Sequence, residues 1–273
     1  MTFILIIIFF TFGLIIGSFL NVVILRYHTE KSFGGRSACM SCQNKLCWYE
    51  LIPLLSFFAL QGRCRNCQTK ISWQYPLVEC ITGIIFAGIF WKFSAGGGSA
   101  FGGQNLFFTD TLAFTVSYAY YVTAFSLLLV IAVYDWKHKI IPDTLAFVFG
   151  LLAFLGMFLF LNHNFYPHLP SLGEIMSGVV IALPFALIWF LSKGAWMGLG
   201  DAKVALGLGW LLGLASVLSG AVVAFWFGAI IGLLLIWLSP KYSMRSEIPF
   251  APFLALGAFL AFMLELHFFP LNF

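Results

Sequence analysis

Two acids set in apolar sequence and two pairs of cysteines set in polar sequence are the residues whose surroundings mark them for chemistry. Asp135 closes an apolar run in Val133-Tyr134-Asp135-Trp136, and Asp201 opens another in Gly198-Leu199-Gly200-Asp201-Ala202-Lys203. A carboxylate at the edge of lipid is costly to bury, so an acid there is a functional candidate by default. Two such groups brought together cannot comfortably both ionise; they share a proton and act as base and acid at once. One takes a proton from water as the water attacks a carbonyl, and its partner donates to the developing oxyanion, which is what an aspartic peptidase requires. Gly198 and Gly200 remove side-chain bulk beside Asp201, so that a substrate backbone or a neighbouring helix comes close. Local alternatives stand beside this reading. Asp143, after Ile141-Pro142, suits a helix N-cap, as does Asp201, and Asp135 could pair with Lys137, His138 or Lys139.

Cys39-Met40-Ser41-Cys42 and Cys64-Arg65-Asn66-Cys67 are two C-x-x-C pairs, a spacing that lets four thiolates grip one tetrahedral ion. The 21 residues between them slightly exceed the usual interval of such sites. Four thiolates would fill the coordination sphere, so Zn²⁺ here is expected to be structural, serving as the core of a segment too small and polar to fold alone. A redox pair or a disulfide are the alternatives, and a cytoplasmic position argues against a lasting disulfide. Cys80 suits an apolar filler, while Cys47 remains open as a competing ligand.

The elements that must position these groups are membrane helices. Of 273 residues, 62% are hydrophobic and 9% charged, which excludes an ordinary soluble domain. Eight apolar runs are candidates to cross a hydrocarbon core: 2–25, 77–91, 111–134, 144–161, 175–191, 202–218, 221–238 and 252–269. The expected fold is all-α and polytopic, with about eight transmembrane helices and a small cytoplasmic zinc-binding loop. The first run lacks a preceding basic residue and a cleavage site, so it reads as a retained span. Thirteen of the fourteen Lys and Arg fall on one side of this arrangement and only Lys92 on the other, which predicts both termini outside and the polar loop in the cytoplasm. Both aspartates then face the cytoplasm. The net charge of +4 describes a membrane-facing surface and gives no argument for nucleic acid. Residues 94–103, containing Ala95-Gly96-Gly97-Gly98-Ser99, have linker composition and lack the strand, helix and lysine of a phosphate loop. The chain divides into a first helix (1–25), a cysteine loop (26–75) and a membrane peptidase region (76–273).

Taken together, these segments resemble the bacterial type IV prepilin peptidases, a Gly-x-Gly-Asp family of leader peptidase and N-methyltransferase enzymes. The resemblance runs almost end to end. It includes Gly17-Ser18-Phe19-Leu20-Asn21-Val22-Val23, Arg36-Ser37, Trp48-Tyr49-Glu50-Leu51-Ile52-Pro53, Gly62-Arg63-Cys64, Tyr75-Pro76-Leu77-Val78-Glu79, Asp135 with Ile141-Pro142-Asp143, the segment around Asp201, and Ile248-Pro249-Phe250-Ala251-Pro252-Phe253. It implies cleavage of prepilin and pseudopilin leaders at the cytoplasmic face of the bacterial inner membrane, after a glycine and before a residue that is usually phenylalanine. Methylation of the new amino terminus from S-adenosylmethionine follows. By motif, Asp135 and Asp201 take the catalytic positions and the cysteine loop the part associated with methyl transfer. Met40 departs from the proline common after the first cysteine. Glu50 and Glu79 lie in matched segments and are candidates to bind the substrate amine or the cofactor, with ion pairs to the loop's basic residues as the plainer role. Two rivals remain: a general Gly-x-Gly-Asp intramembrane protease, which needs no cysteine loop, and a metal-linked transporter, for which no internal repeat between the halves is evident.

Overall fold

The computed structural model describes residues 2–29, 34–94, 110–161, 163–238 and 248–269. The glycine-rich tract at 95–103 lies outside them, as do Lys31, Lys241 and Arg245. Among the described residues the helices are α1 (Thr2–Arg26), α2 (Leu55–Ala59), α3 (Gln74–Ser94), α4 (Thr111–His138), α5 (Asp143–Gly156), α6 (Leu172–Ser192), α7 (Leu199–Leu212), α8 (Leu214–Leu238) and α9 (Ala251–Leu264), accompanied by a 3-10 turn (Trp48–Leu51) and a short hairpin pairing Phe160 with Phe165. The chain is all-α in architecture and spans the membrane several times.

Each of the eight apolar runs carries a helix of fourteen or more residues. Lipid leaves no other partner for backbone polar groups, so a run of such composition closes its hydrogen bonds within itself. Five helices, α1, α3, α4, α6 and α8, are long and apolar enough to cross a membrane. The other three have 14 residues each, about 21 Å at the helical rise and short of a ~30 Å core. The run at 202–218 is cut at Gly213, where φ is 75° and the chain leaves α7 to start α8.

Contacts divide the chain into two compact units, Met1–Trp91 and Lys92–Phe273. In the first, Gly13 and Gly17 let α1 lie against α3. A Cβ at Gly17 would stand 2.7 Å from the Glu79 Cα, and one at Gly13 would stand 2.8 Å from the Gly83 Cα. Small residues four apart thus replace the hydrophobic drive that lipid abolishes.

In the second unit α7 is the buried centre, packed by α5, α6, α8 and α9. Its crossing with α6 is equally close: a Cβ at Gly209 would meet the Gly178 Cα at 2.5 Å. Hydrogen bonds lock the register there, from Ser177 Oγ to the Gly209 carbonyl at 2.9 Å and from Trp210 Nε1 to the Ile175 carbonyl at 3.0 Å. At the far end of α9 from its first residue, Lys92 is buried, bonded to Glu265 at 2.9 Å and placed over the Phe262 ring. Tyr121 and His163 share a 3.1 Å hydrogen bond in the same aromatic cage.

Candidate active site and metal centre

Asp135 lies in the last turn of α4 and Asp201 in the first turn of α7. Both are buried, at 5% and 7% exposure, and Asp201 interacts electrostatically with Asp135. The two acids that the sequence singles out therefore lie within electrostatic reach of each other. The local alternatives do not describe them. Among the described residues no ion pair joins Asp135 to Lys137, His138 or Lys139; its Oδ2 accepts the Ala251 N–H at 3.3 Å. Gly198 takes the cap position of α7, leaving Asp201 inside the helix. Asp143 also stands one place inside its helix, Pro142 occupying the cap.

Both carboxyls are buried, and their hydrogen-bonding neighbours differ. Asp135 faces the first amide of α9, where unpaired N–H groups and the helix dipole favour negative charge. Asp201 has the Gly198 backbone as its hydrogen-bonding neighbour, and its Oδ1 is buried without a partner. A buried carboxyl oxygen with nothing to bond is the position at which a shared proton, a water or a substrate group belongs. The second acid thus keeps one oxygen whose hydrogen-bonding capacity is unused.

The segment after Asp135 completes the site. Lys139 turns the chain in the left-handed conformation, with φ 55°, and donates its N–H to the Asp135 carbonyl at 2.7 Å. Ile141 then lies against Gly200, where a Cβ would stand 2.6 Å from the Ile141 Cβ. Gly200 is therefore the glycine that admits a neighbouring segment, whereas a Cβ at Gly198 would meet nothing closer than 3.8 Å. Lys203 bonds Asp143 at 2.6 Å and joins the start of α7 to the start of α5.

The other motif assembles in the first unit. The ligand atoms of Cys39, Cys42, Cys64 and Cys67 all lie within 4.8 Å of one another. Sγ separations are 3.7 Å for Cys39 and Cys67 and 4.0 Å for Cys42 and Cys64, matching the roughly 3.8 Å edge of a tetrahedron with Zn–S bonds near 2.3 Å. The residues fit zinc. Cys67 is held down to about 6 by the Thr69 hydroxyl, then by the Thr69 backbone, so it offers a thiolate near neutrality. Cys47 stays outside the cluster, exposed, with its N–H bonded to Glu50 Oε2 at 2.7 Å.

The two knuckles repeat each other with an offset of 25 residues. Cys39 N–H to Asn44 O and Leu46 N–H to Ser37 O are matched by Cys64 N–H to Thr69 O and Ile71 N–H to Gly62 O, and Gln43 and Gln68 share a positive φ. Cys-x-x-Cys-Gln-x-Lys occurs twice in the sequence and is the signal that could have found this. Of the two glutamates, Glu50 closes a capping box on its own turn. Glu79 is buried and accepts the Leu54 N–H at 2.9 Å. Sequence reasoning missed Ala251, because a backbone donor has no side-chain signature; the hint was Pro252, which suits a helix start.

The Bacterial Peptidase A24 N-terminal domain matches residues 11–93, and the Type IV leader peptidase family matches residues 122–235. Three curated relatives are each called prepilin leader peptidase/N-methyltransferase. That of Myxococcus xanthus is 30% identical over 243 residues, covering 87% of this chain and 65% of the relative, so the chain spans just under two thirds of that protein. That of Xanthomonas campestris is 30% identical over 279 residues, covering 92% and 88%. That of Bacillus subtilis is 29% identical over 255 residues, covering 93% and 92%. No solved structure matches the chain.

Proposed function

Because this chain belongs to the type IV leader peptidase family, we propose that it cleaves the leader of prepilins and pseudopilins with Asp135 and Asp201 and then methylates the new amino terminus. The observation that carries the peptidase reading is the pair of buried, interacting acids, one facing a helix N-terminus and the other with an unpartnered oxygen. The ionised carboxyl removes a proton from water as the water adds to the scissile carbonyl. The protonated carboxyl hydrogen-bonds the oxygen that becomes negative. The proton gained by the base then passes to the leaving nitrogen, giving a free carboxyl on the leader and a free amine on the pilin. The Ala251 amide holds the Asp135 carboxyl in place through that exchange.

Methylation rests on the names of the relatives. S-adenosylmethionine would supply an electrophilic methyl group to the unprotonated amine, leaving as the neutral thioether S-adenosylhomocysteine while the methylated amine releases a proton to solvent. Cys39, Cys42, Cys64 and Cys67 would hold a structural Zn²⁺ that gives the cysteine segment its core. The reading places the protein in the bacterial inner membrane, with both termini outside and the dyad facing the cytoplasm, supported by the one-sided distribution of basic residues.

The test is to incubate the purified, membrane-reconstituted chain with a prepilin, with and without methyl donor, and to read the product's mass and amino-terminal sequence. A pilin shortened by its leader is expected in both reactions, and one methyl heavier only with donor. An intact prepilin in both would end the peptidase reading.

A further inference from the structure

The segment between α1 and α3 carries an apolar surface of its own. Trp48, Leu55, Phe58 and Trp73 are 77%, 69%, 62% and 69% exposed. They lie close together: Leu55 and Phe58 stand three residues apart on the exposed side of α2, Trp73 contacts buried Phe57 of the same helix at 4.9 Å between ring centres, and the turn bearing Trp48 packs on α2. Trp48 and Trp73 occupy equivalent places after the two cysteine knuckles, so each repeat presents one indole. In water such a face would favour aggregation.

Hydrogen bonds within the first unit hold it beside the end of α1 and the start of α3. Asn21 Nδ2, in the last turns of α1, donates to the Tyr75 carbonyl at the start of α3 at 3.1 Å. Leu54, immediately before α2, is bonded to Glu79, which lies about 7 Å along α3 from Gln74. Leu55 and Phe58 are thus held near the first turns of α3, a helix long and apolar enough to cross a membrane, and the end of such a helix belongs in the headgroup layer, where indole rings partition favourably. The surrounding charge suits that layer. Residues 26–75 carry seven basic side chains against Glu30 and Glu50. Arg63, Arg65 and Lys70 are exposed, and Arg65 lies over the Tyr49 ring beside Trp48.

We propose that this face is a lipid-docking surface, with Trp48, Leu55, Phe58 and Trp73 seated in the interfacial layer and Arg63, Arg65 and Lys70 meeting the phosphates of anionic lipids. It anchors the metal-binding repeats flat on the bilayer from which α1 and α3 emerge, independently of the peptidase reading.

The test uses the full chain labelled with fluorotryptophan in nanodiscs of phosphatidylethanolamine and phosphatidylglycerol. The Trp48 and Trp73 fluorine resonances are assigned with Trp48→Phe and Trp73→Phe. A lipid spin-labelled near its headgroup should abolish both resonances, and a water-soluble gadolinium chelate should spare them. Loss to the chelate alone would show a face in water, and survival of both resonances with either agent would show a face covered by protein; each overturns the proposal. With the spin label carried by phosphatidylglycerol, an Arg63→Gln, Arg65→Gln, Lys70→Gln variant of unchanged zinc content should show clearly weaker loss of both resonances than the parent. Loss as complete as in the parent would overturn the role of the anionic phosphates.

Discussion

At the scale of single residues, the site depends on where side chains are missing as much as on where they stand. Gly200 lets Ile141 approach the start of α7, and a methyl group there would overlap the Ile141 Cβ. Gly200→Ala is expected to displace the segment after Asp135, at a cost of about 1–3 kcal/mol, and to lower the rate of leader cleavage by roughly tenfold or more. Gly198→Ala, whose Cβ would make only ordinary van der Waals contacts at 3.8 Å and beyond, should be tolerated far better, and equal rates for the two variants in a prepilin assay would contradict the geometry. For the metal, serine at any of Cys39, Cys42, Cys64 or Cys67 should reduce the zinc bound per chain, whereas Cys47→Ser should leave it unchanged. Elemental analysis decides between them. The acids and thiols were legible in the sequence because ionisable and metal-ligating groups are scarce in an apolar chain. Ala251 was not, because its contribution is a backbone amide.

At the scale of helices, composition revealed where each lies but not which face packs. Helices that are apolar on all sides have no amphipathic stripe to read, so contacts are set by glycines such as Gly178 and Gly209. The break at Gly213 was hidden for the same reason, being one of 26 glycines in uniformly apolar surroundings. Gly209→Val should force α6 and α7 apart and destabilise the second unit by about 1–3 kcal/mol, seen as a lower melting temperature in detergent; an unchanged value would refute the close crossing. The connection after α5 supplies a pH test. Burial, aided by the positive charge of Lys92, lowers the His163 imidazole to about 4 from its ordinary 6.5. Its neutral form is the one that fits, so stability is fully present above 6.5 and falls as the pH drops from there to about 4, where the unfolded chain binds a proton that the folded chain does not. His163→Phe should flatten that part of the melting-temperature profile, and a slope unchanged from the parent would show that another group is responsible.

At the scale of the whole molecule, basic residues crowd one side of the predicted topology, and Lys92, the exception, is buried and paired with Glu265. A cation satisfied inside protein is not drawn to the cytoplasmic surface, which explains how it departs from the charge rule. The four metal ligands all belong to Met1–Trp91 and the two acids to Lys92–Phe273. Chelation of zinc is therefore expected to speed amide exchange in residues 34–73 and to leave α4–α9 protected, as hydrogen-exchange mass spectrometry would report. The pairing of acids from distant stretches was legible only as chemistry, since spacing does not say that helix ends 66 residues apart in sequence meet. The most direct test of that pairing is leader cleavage by Asp135→Asn and Asp201→Asn, each reconstituted in a bilayer and shown to be inserted and folded. The account predicts that each substitution alone abolishes release of the leader. Cleavage at the parent rate by either variant would contradict it.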